Sequence, residues 1–161
     1  IGKLEAGNLI GTAVEGVDVY RENKEVCDTA LNYLQAVNLE LEGTPFKVAY
    51  RTRNEFLLYV VNNLPYNNDK DGNEIPQNEI IARALDEITN MKILSRIEGD
   101  ETKVSASFLD GLENTIKTSL VTVCPNLFEE GEGKKAYVSV SLAKLTEMKK
   151  RLTSGYTSFW S

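Results

Sequence analysis

The stretch KEVCDTALNYLQAVNLEL, from Lys24 to Leu41, carries the reading on which the fold turns. Val26, Ala30, Leu31, Leu34, Val37 and Leu41 recur at intervals of three and four residues, the spacing that lines up side chains on one face of an α-helix. Gly43, followed by Pro45, supplies the stop.

The same period returns downstream. A second helix is expected from Thr52, whose hydroxyl and Glu55 make a capping box, with Phe56, Leu57, Val60, Val61 and Leu64 on its apolar face and Pro65 after its end. A third is expected from Asn78 as cap, carried by Ile80, Ile81, Ala84, Leu85, Ile88, Met91, Ile93 and Leu94 and closed by Gly99. A fourth covers Ser105 to Val123 through Phe108, Leu109, Leu112, Ile116 and Leu120. After an extended piece at Tyr137–Val140, a fifth runs from Ser141 to about Thr153 on Leu142, Leu145, Met148 and Leu152. The segment Pro65–Gln77, rich in Asn, Asp and Gly, reads as a mobile loop, and Phe128–Lys135 as a polar one. Upstream, Ile1–Asn23 carries Gly2, Gly7, Gly11 and Gly16 with a short alternation at Val17 and Val19, and reads as a linker with at most one short strand. The expectation is an all-α bundle of about five helices over residues 24–161, preceded by a Gly-rich extended segment over 1–23.

Composition excludes several chemistries. The 161 residues contain no His, so Ser-His-Asp and Cys-His catalysis and histidine-ligated zinc have no base or ligand within the chain. Cys27 and Cys124 stand far apart without a C-x-x-C pair and read as two buried thiols in a reducing cytoplasm. The apolar run Phe56–Val61 is six residues long, against about 20 for a bilayer span. No basic-then-apolar leader is present, and the sequence opens on Ile1, so the expectation is a cytoplasmic chain, without membrane contact, that begins inside a longer polypeptide. A net charge of −6 opposes broad contact with a phosphate backbone, since the basic clusters are confined to Lys134-Lys135 and Lys149-Lys150-Arg151.

Phosphate-binding loops are also missing. Gly2-Lys3 is followed by Leu4, and Gly133-Lys134 by Lys135, so neither completes G-x-x-x-x-G-K-[ST]. Asp69, Asp71 and Glu74 lack the spacing of a calcium loop, and Asp110 with Glu113 reads as a solvated helix face. One local feature stands out. The run Tyr50-Arg51-Thr52-Arg53-Asn54-Glu55 puts two guanidiniums at the start of a helix, where free amides and the helix dipole already favour anions and disfavour cations. Two readings follow from the residues: an arginine paired with Glu55 or another carboxylate, or a site for a phosphate or an acidic partner.

Three segments in order carry a resemblance: FKVAYRTRNEFLLYV (Phe46–Val60), ALDEITNMKILSRIEG (Ala84–Gly99), and KLTEMKKRL (Lys144–Leu152) closing on GYTSFW (Gly155–Trp160). Together they resemble the helical lid and C-terminal end of McrB-like AAA+ NTPases, over roughly residues 24–160. The resemblance implies a lid subdomain of a ring-forming, GTP- or ATP-driven motor of a DNA restriction or defence system. In such proteins an arginine at the start of a lid helix senses nucleotide phosphates. Arg51 matches that arginine, with Arg53 as the alternative. The resemblance further implies a core with the phosphate loop and Mg²⁺ motif elsewhere in the same polypeptide, a homo-oligomeric ring, a nuclease partner, and DNA contacted only indirectly. This chain alone would be catalytically incomplete and hold no nucleotide. The alternative from another class is a non-enzymatic helical protein-interaction module acting through Arg51 and Arg53. Finally, Tyr156, Phe159 and Trp160 lack a helical period, and the tail is expected to fold back and plug the bundle.

Overall fold

A computed structural model describes residues 12–160, with side chains from Val17 onward. Six α-helices are present among them: α1 (Thr12–Glu22), α2 (Lys24–Leu41), α3 (Tyr50–Asn63), α4 (Gln77–Lys92), α5 (Ala106–Val123) and α6 (Val140–Leu152). A 3₁₀ turn at Leu94–Arg96 and two short strands, β1 (Glu98–Asp100) and β2 (Tyr156–Ser158), complete the elements. The all-α expectation holds, with one helix more than the periodicity indicated.

The extra helix is α1, and it corrects the reading of the Gly-rich segment; the stretch Ile1–Gly11 lies outside the described residues. Gly16 costs about 1 kcal/mol inside a helix, but packing outweighs it: α1 lies against α3 and α2, and Val19 and Tyr20 reach the core. The Tyr20 hydroxyl donates to Asp28 Oδ1 at 2.8 Å, and Asn23 N–H bonds Val19 O at 3.0 Å to close the helix. Val17 is 45% exposed, so the alternation of Val17 and Val19 reflected no strand face.

Helix α4 is the centre of the bundle, touching α2, α3, α5 and α6. Ile81, Ala84, Leu85 and Ile88 are buried there, in one cluster with Phe56 and Leu57 from α3, Leu109, Leu112 and Ile116 from α5, and Leu145 and Met148 from α6. Each buried large aliphatic side chain contributes roughly 1.5–3 kcal/mol. Two expected caps do not form. Helix α3 starts at Tyr50 rather than Thr52, with Ala49 at its N-cap and no side-chain cap, and α4 starts after Pro76, with Asn78 inside its first turn. Pro76 presets the entry angle of α4, while α3 is positioned by the preceding loop. Side-chain caps that the sequence reading did not name do form: Ser105 accepts from Phe108 N at the start of α5, and Ser139 accepts from Leu142 N at the start of α6.

The third helix ends at Lys92 instead of running to Gly99. Gly99 lies in β1 at φ +151°, and a Cβ there would sit 2.9 Å from Lys103 Cβ. Strand β1 pairs antiparallel with β2, Gly99 opposite Thr157. The aromatic plug holds only for Phe159, which is half-buried and packs against the core; the pairing leaves the other two rings outside. Thr157 turns inward, 1% exposed, and its hydroxyl donates to Met148 O at 2.7 Å, while Tyr156 and Trp160 are 50% and 77% exposed. Backbone pairing and the Arg151 guanidinium, 2.9 Å from Ser158 O, tie the tail down, so Trp160 is left outside.

One buried carboxylate joins the two halves. Asp86 on α4 is fully buried and accepts from the hydroxyls of Tyr137, Ser139 and Ser141 and from the backbone N–H of Val140 and Ser141. It thereby sits at the positive end of α6. The Pro65–Pro76 loop is a tight reverse turn with an Asn68–Glu74 bridge, its Asp69 Oδ1 accepting from Asp71 N and Asn73 N. No helix among the described residues is long and apolar enough to cross a membrane.

Candidate functional site

The start of α3 is where the sequence singled out Arg51 and Arg53, and the fold builds it from the loop inward. Thr44 Oγ1 donates to Leu41 O at 2.6 Å and accepts from Phe46 N at 3.1 Å, which turns the chain after α2. Phe46 is then buried and stacked on Phe108 with ring centroids 6.2 Å apart. Two residues on, Val48 N–H donates to Asn38 Oδ1 at 2.8 Å, so the strand-like approach to α3 is held against α2. Helix α3 consequently begins beside α2 and α1 with its first-turn amides uncapped by any side chain and no acidic residue in that turn.

Arg51 is exposed and has no ion pair or hydrogen bond among the described residues. Arg53 is half-buried, its guanidinium 5.2 Å from the centre of the Tyr50 ring in a cation–π contact. Glu55 does not pair with either; it binds Lys92 Nζ at 2.8 Å. The reading of an arginine neutralised by Glu55 is thus corrected. Residues two apart on a helix are separated by roughly 200° around its axis, so Arg51 and Arg53 do not form one clamp.

Arg53 borders two adjoining open depressions. One, of ≈ 470 Å³, lies between α2 and the entry to α3 and is bounded by Leu34, Asn38 and Val48; the other, of ≈ 410 Å³, lies between α1, α2 and α3 and is bounded by Val17, Arg21 and Leu57. They share Leu31, Tyr50 and Arg53 as a common wall. Asn54 also lines the second depression; it is 2% exposed, and its amide nitrogen has no hydrogen-bond partner among the described residues. Nearby, the hydrogen bond to Asp28 holds the Tyr20 phenol above its ordinary pKa, with burial adding to the effect and the Arg53 charge opposing it. Burial pushes both thiols, Cys27 and Cys124, upward and away from thiolate reactivity.

Sequence reasoning found the two arginines and missed Arg21, Asn54 and the role of Tyr50, because these come from two helices, α1 and α3, that only packing brings together. Asp86 was missed as well, although a signal existed: Ala82, Asp86 and Thr89 share a stripe of α4, and a carboxylate in such a stripe is costly unless paired. No group of three or more Cys, Asp or Glu side chains able to hold a metal occurs among the described residues.

A sequence model of a family described as a domain of unknown function (DUF8727) matches residues 10–156, nearly the whole chain. The chain belongs to the DUF8727 family. Its matched span runs from before α1 to the first residue of β2, so the family comprises the entire bundle, α1 included. No curated protein and no solved structure matches the sequence.

Proposed function

We propose that this DUF8727 domain is a nucleotide-sensing lid of a McrB-like AAA+ NTPase, whose closure couples the phosphate state of GTP or ATP with Mg²⁺ to ring geometry in a DNA restriction or defence system. The observation that carries the reading is Arg51: an exposed guanidinium in an uncapped first helical turn that contains no acid, with no carboxylate partner among the described residues. An isolated cation at the positive end of a helix is locally unfavourable by a few tenths of a kcal/mol, and a phosphate oxygen offsets that by accepting from both the amides and the guanidinium. The three resembling segments support the same reading; they fall on α3, on α4 with the following 3₁₀ turn, and on α6 with β2. In this proposal the nucleotide, its Mg²⁺ and the hydrolytic groups belong to a core elsewhere in the polypeptide, the ring is homo-oligomeric, a nuclease subunit is its partner, and this chain binds no nucleotide alone.

The test starts with the reading frame upstream of the codon for Ile1. A G-x-x-x-x-G-K-[ST] motif there, followed by an acidic strand end, is the expected finding; a start codon or an unrelated domain refutes the motor. With the motif present, Arg51→Ala in the intact NTPase lowers kcat by about 10–100-fold, the loss of one charge-assisted contact to the reacting phosphate. Unchanged turnover refutes Arg51 as the sensor.

A second reading, a non-enzymatic interaction module, is favoured by the depressions beside Arg53, which lie in the α1–α2–α3 corner rather than at Arg51. It predicts a parent protein without an NTPase core.

A further inference from the structure

The start of α3 holds a second feature that phosphate sensing by Arg51 does not use. Native proteins leave very few buried polar groups without a partner, yet the Asn54 amide nitrogen is buried and unpaired beside the ≈ 410 Å³ depression. Among the described residues the charged groups that line the depression are Arg21 and Arg53, and none of them is a carboxylate, in a chain with 24 acidic and 18 basic residues. Among the described residues, both charges and the one unpaired amide there are donors. Beside them lie apolar walls, Val17, Leu31 and Leu57, and the face of Tyr50, a ring that is 64% exposed.

We propose that this corner binds an organic anion: one carboxylate, sulfonate or phosphate group joined to an apolar or aromatic body. The oxyanion takes the Arg53 guanidinium and the Asn54 amide, with Arg21 from the end of α1 as the second charge. The body lies on Leu31 and Leu57 against the Tyr50 ring. The observations converge independently. Arg53 supplies a two-pronged donor suited to an oxyanion, the uncapped start of α3 adds a favourable field, and the orphaned Asn54 amide gains the hydrogen bond it lacks. A volume of ≈ 410 Å³, adjoining a neighbour of ≈ 470 Å³, falls in the range of small-ligand sites. The corner also explains the Arg53–Tyr50 stack, which presents the guanidinium at the wall the two depressions share. This inference goes beyond the lid reading and does not depend on it, since it concerns Arg53 and not Arg51.

The test uses the whole 161-residue chain and the probe anilinonaphthalene sulfonate, an aromatic body carrying one sulfonate. Fluorescence titration gives saturable binding of one dye per chain. Arg53→Ala and Asn54→Leu each weaken it about tenfold or more, the worth of one hydrogen bond to a charged group. Arg53→Lys retains part of the affinity, and Lys117→Ala on the exposed face of α5 leaves it unchanged. Asn54→Leu keeps the melting temperature of the unliganded chain or raises it, because the buried unpaired amide is gone. Non-saturable dye binding, or binding indifferent to Arg53→Ala and Asn54→Leu, overturns the proposal; so does a lowered melting temperature in Asn54→Leu with dye affinity intact, which makes Asn54 a packing residue only. Displacement separates the sources of the anion: phenyl phosphate displacing the dye points to a free small molecule, and a blocked Leu-Asp-Leu peptide displacing it points to a protein segment. Displacement by neither, or equal displacement by inorganic phosphate, overturns the organic-anion assignment.

Discussion

Replacing Asp86 with alanine removes the acceptor for five donors at once: the hydroxyls of Tyr137 (2.7 Å), Ser139 (2.6 Å) and Ser141, and the N–H groups of Val140 (2.9 Å) and Ser141 (3.3 Å). Not all of these are stranded. Tyr137 is partly exposed and Val140 is exposed, so both can turn to water, and of the Ser139 and Ser141 hydroxyls, 3.3 Å apart, one can donate to the other. The other serine hydroxyl and the Ser141 N–H have no such outlet, since Ser139 and Ser141 are both buried beside a residue that is 0% exposed. At about 1.5–2.5 kcal/mol for each of these two orphaned buried donors, the loss comes to roughly 3–5 kcal/mol, a value reached only when a buried polar network is broken. For a domain of this size each kcal/mol lowers Tm by about 2–4 °C, so Asp86→Ala melts roughly 10–15 °C below wild type. Asp86→Asn keeps one acceptor and turns an amide toward the Tyr137 hydroxyl and Val140 N–H, so its loss is smaller, about 2–3 kcal/mol. The assay is urea unfolding followed by circular dichroism of the helices, because Trp160, the only tryptophan, is 77% exposed and reports little of the core. A loss below about 1 kcal/mol for Asp86→Ala would refute the claim that this carboxylate clamps α6 to α4.

Two further predictions rest on the tail and on the loop that meets it. Trp160→Ala changes thermal stability by less than about 0.5 kcal/mol, as for an exposed surface residue, whereas a larger loss in the same melting experiment restores the aromatic plug. Asp100 accepts from the Thr102 hydroxyl and from the Thr102 and Lys103 N–H groups, and these hydrogen bonds, the Thr102 hydroxyl foremost, hold its carboxyl below the ordinary 3.8. A depressed folded pKa means stability that is present above the ordinary value and lost as pH falls through the folded one. Acid titration by NMR therefore shows Asp100 protonating below pH 3.8, and Asp100→Asn flattens the stability profile in that window; a carboxyl titrating at or above 3.8 contradicts the hydrogen-bonded turn.

Legibility of the site divided along the same line as legibility of the fold. Arg51 and Arg53 were visible because a cation at a helix start breaks a local rule that neighbouring residues suffice to state. Their separation into an exposed Arg51 and an Arg53 turned to the α1–α2–α3 corner was not visible, nor was the diversion of Glu55 to Lys92, which lies 37 positions away in sequence and comes close only when α3 packs on α4. Asn54 read as an ordinary polar residue, since the fact that distinguishes it, an unpaired amide in the interior, exists only once its surroundings are assembled.

By itself the sequence determined the class of structure and most of its helices. A period of three and four residues is a local property, and it located α2, α5 and α6 to within a residue or two at each end, with Gly43 as the stop signal of α2. Absence of histidine was equally decisive for chemistry, since no fold can supply a missing side chain. Tertiary structure alone decided three things: that Gly16 lies within a helix, that α3 begins two residues before its capping box, and that the tail becomes a strand beside Glu98–Asp100 with Trp160 outside. In each case a local preference of about 1 kcal/mol or less was set against side-chain burial and backbone pairing with distant elements, which together contribute several times as much.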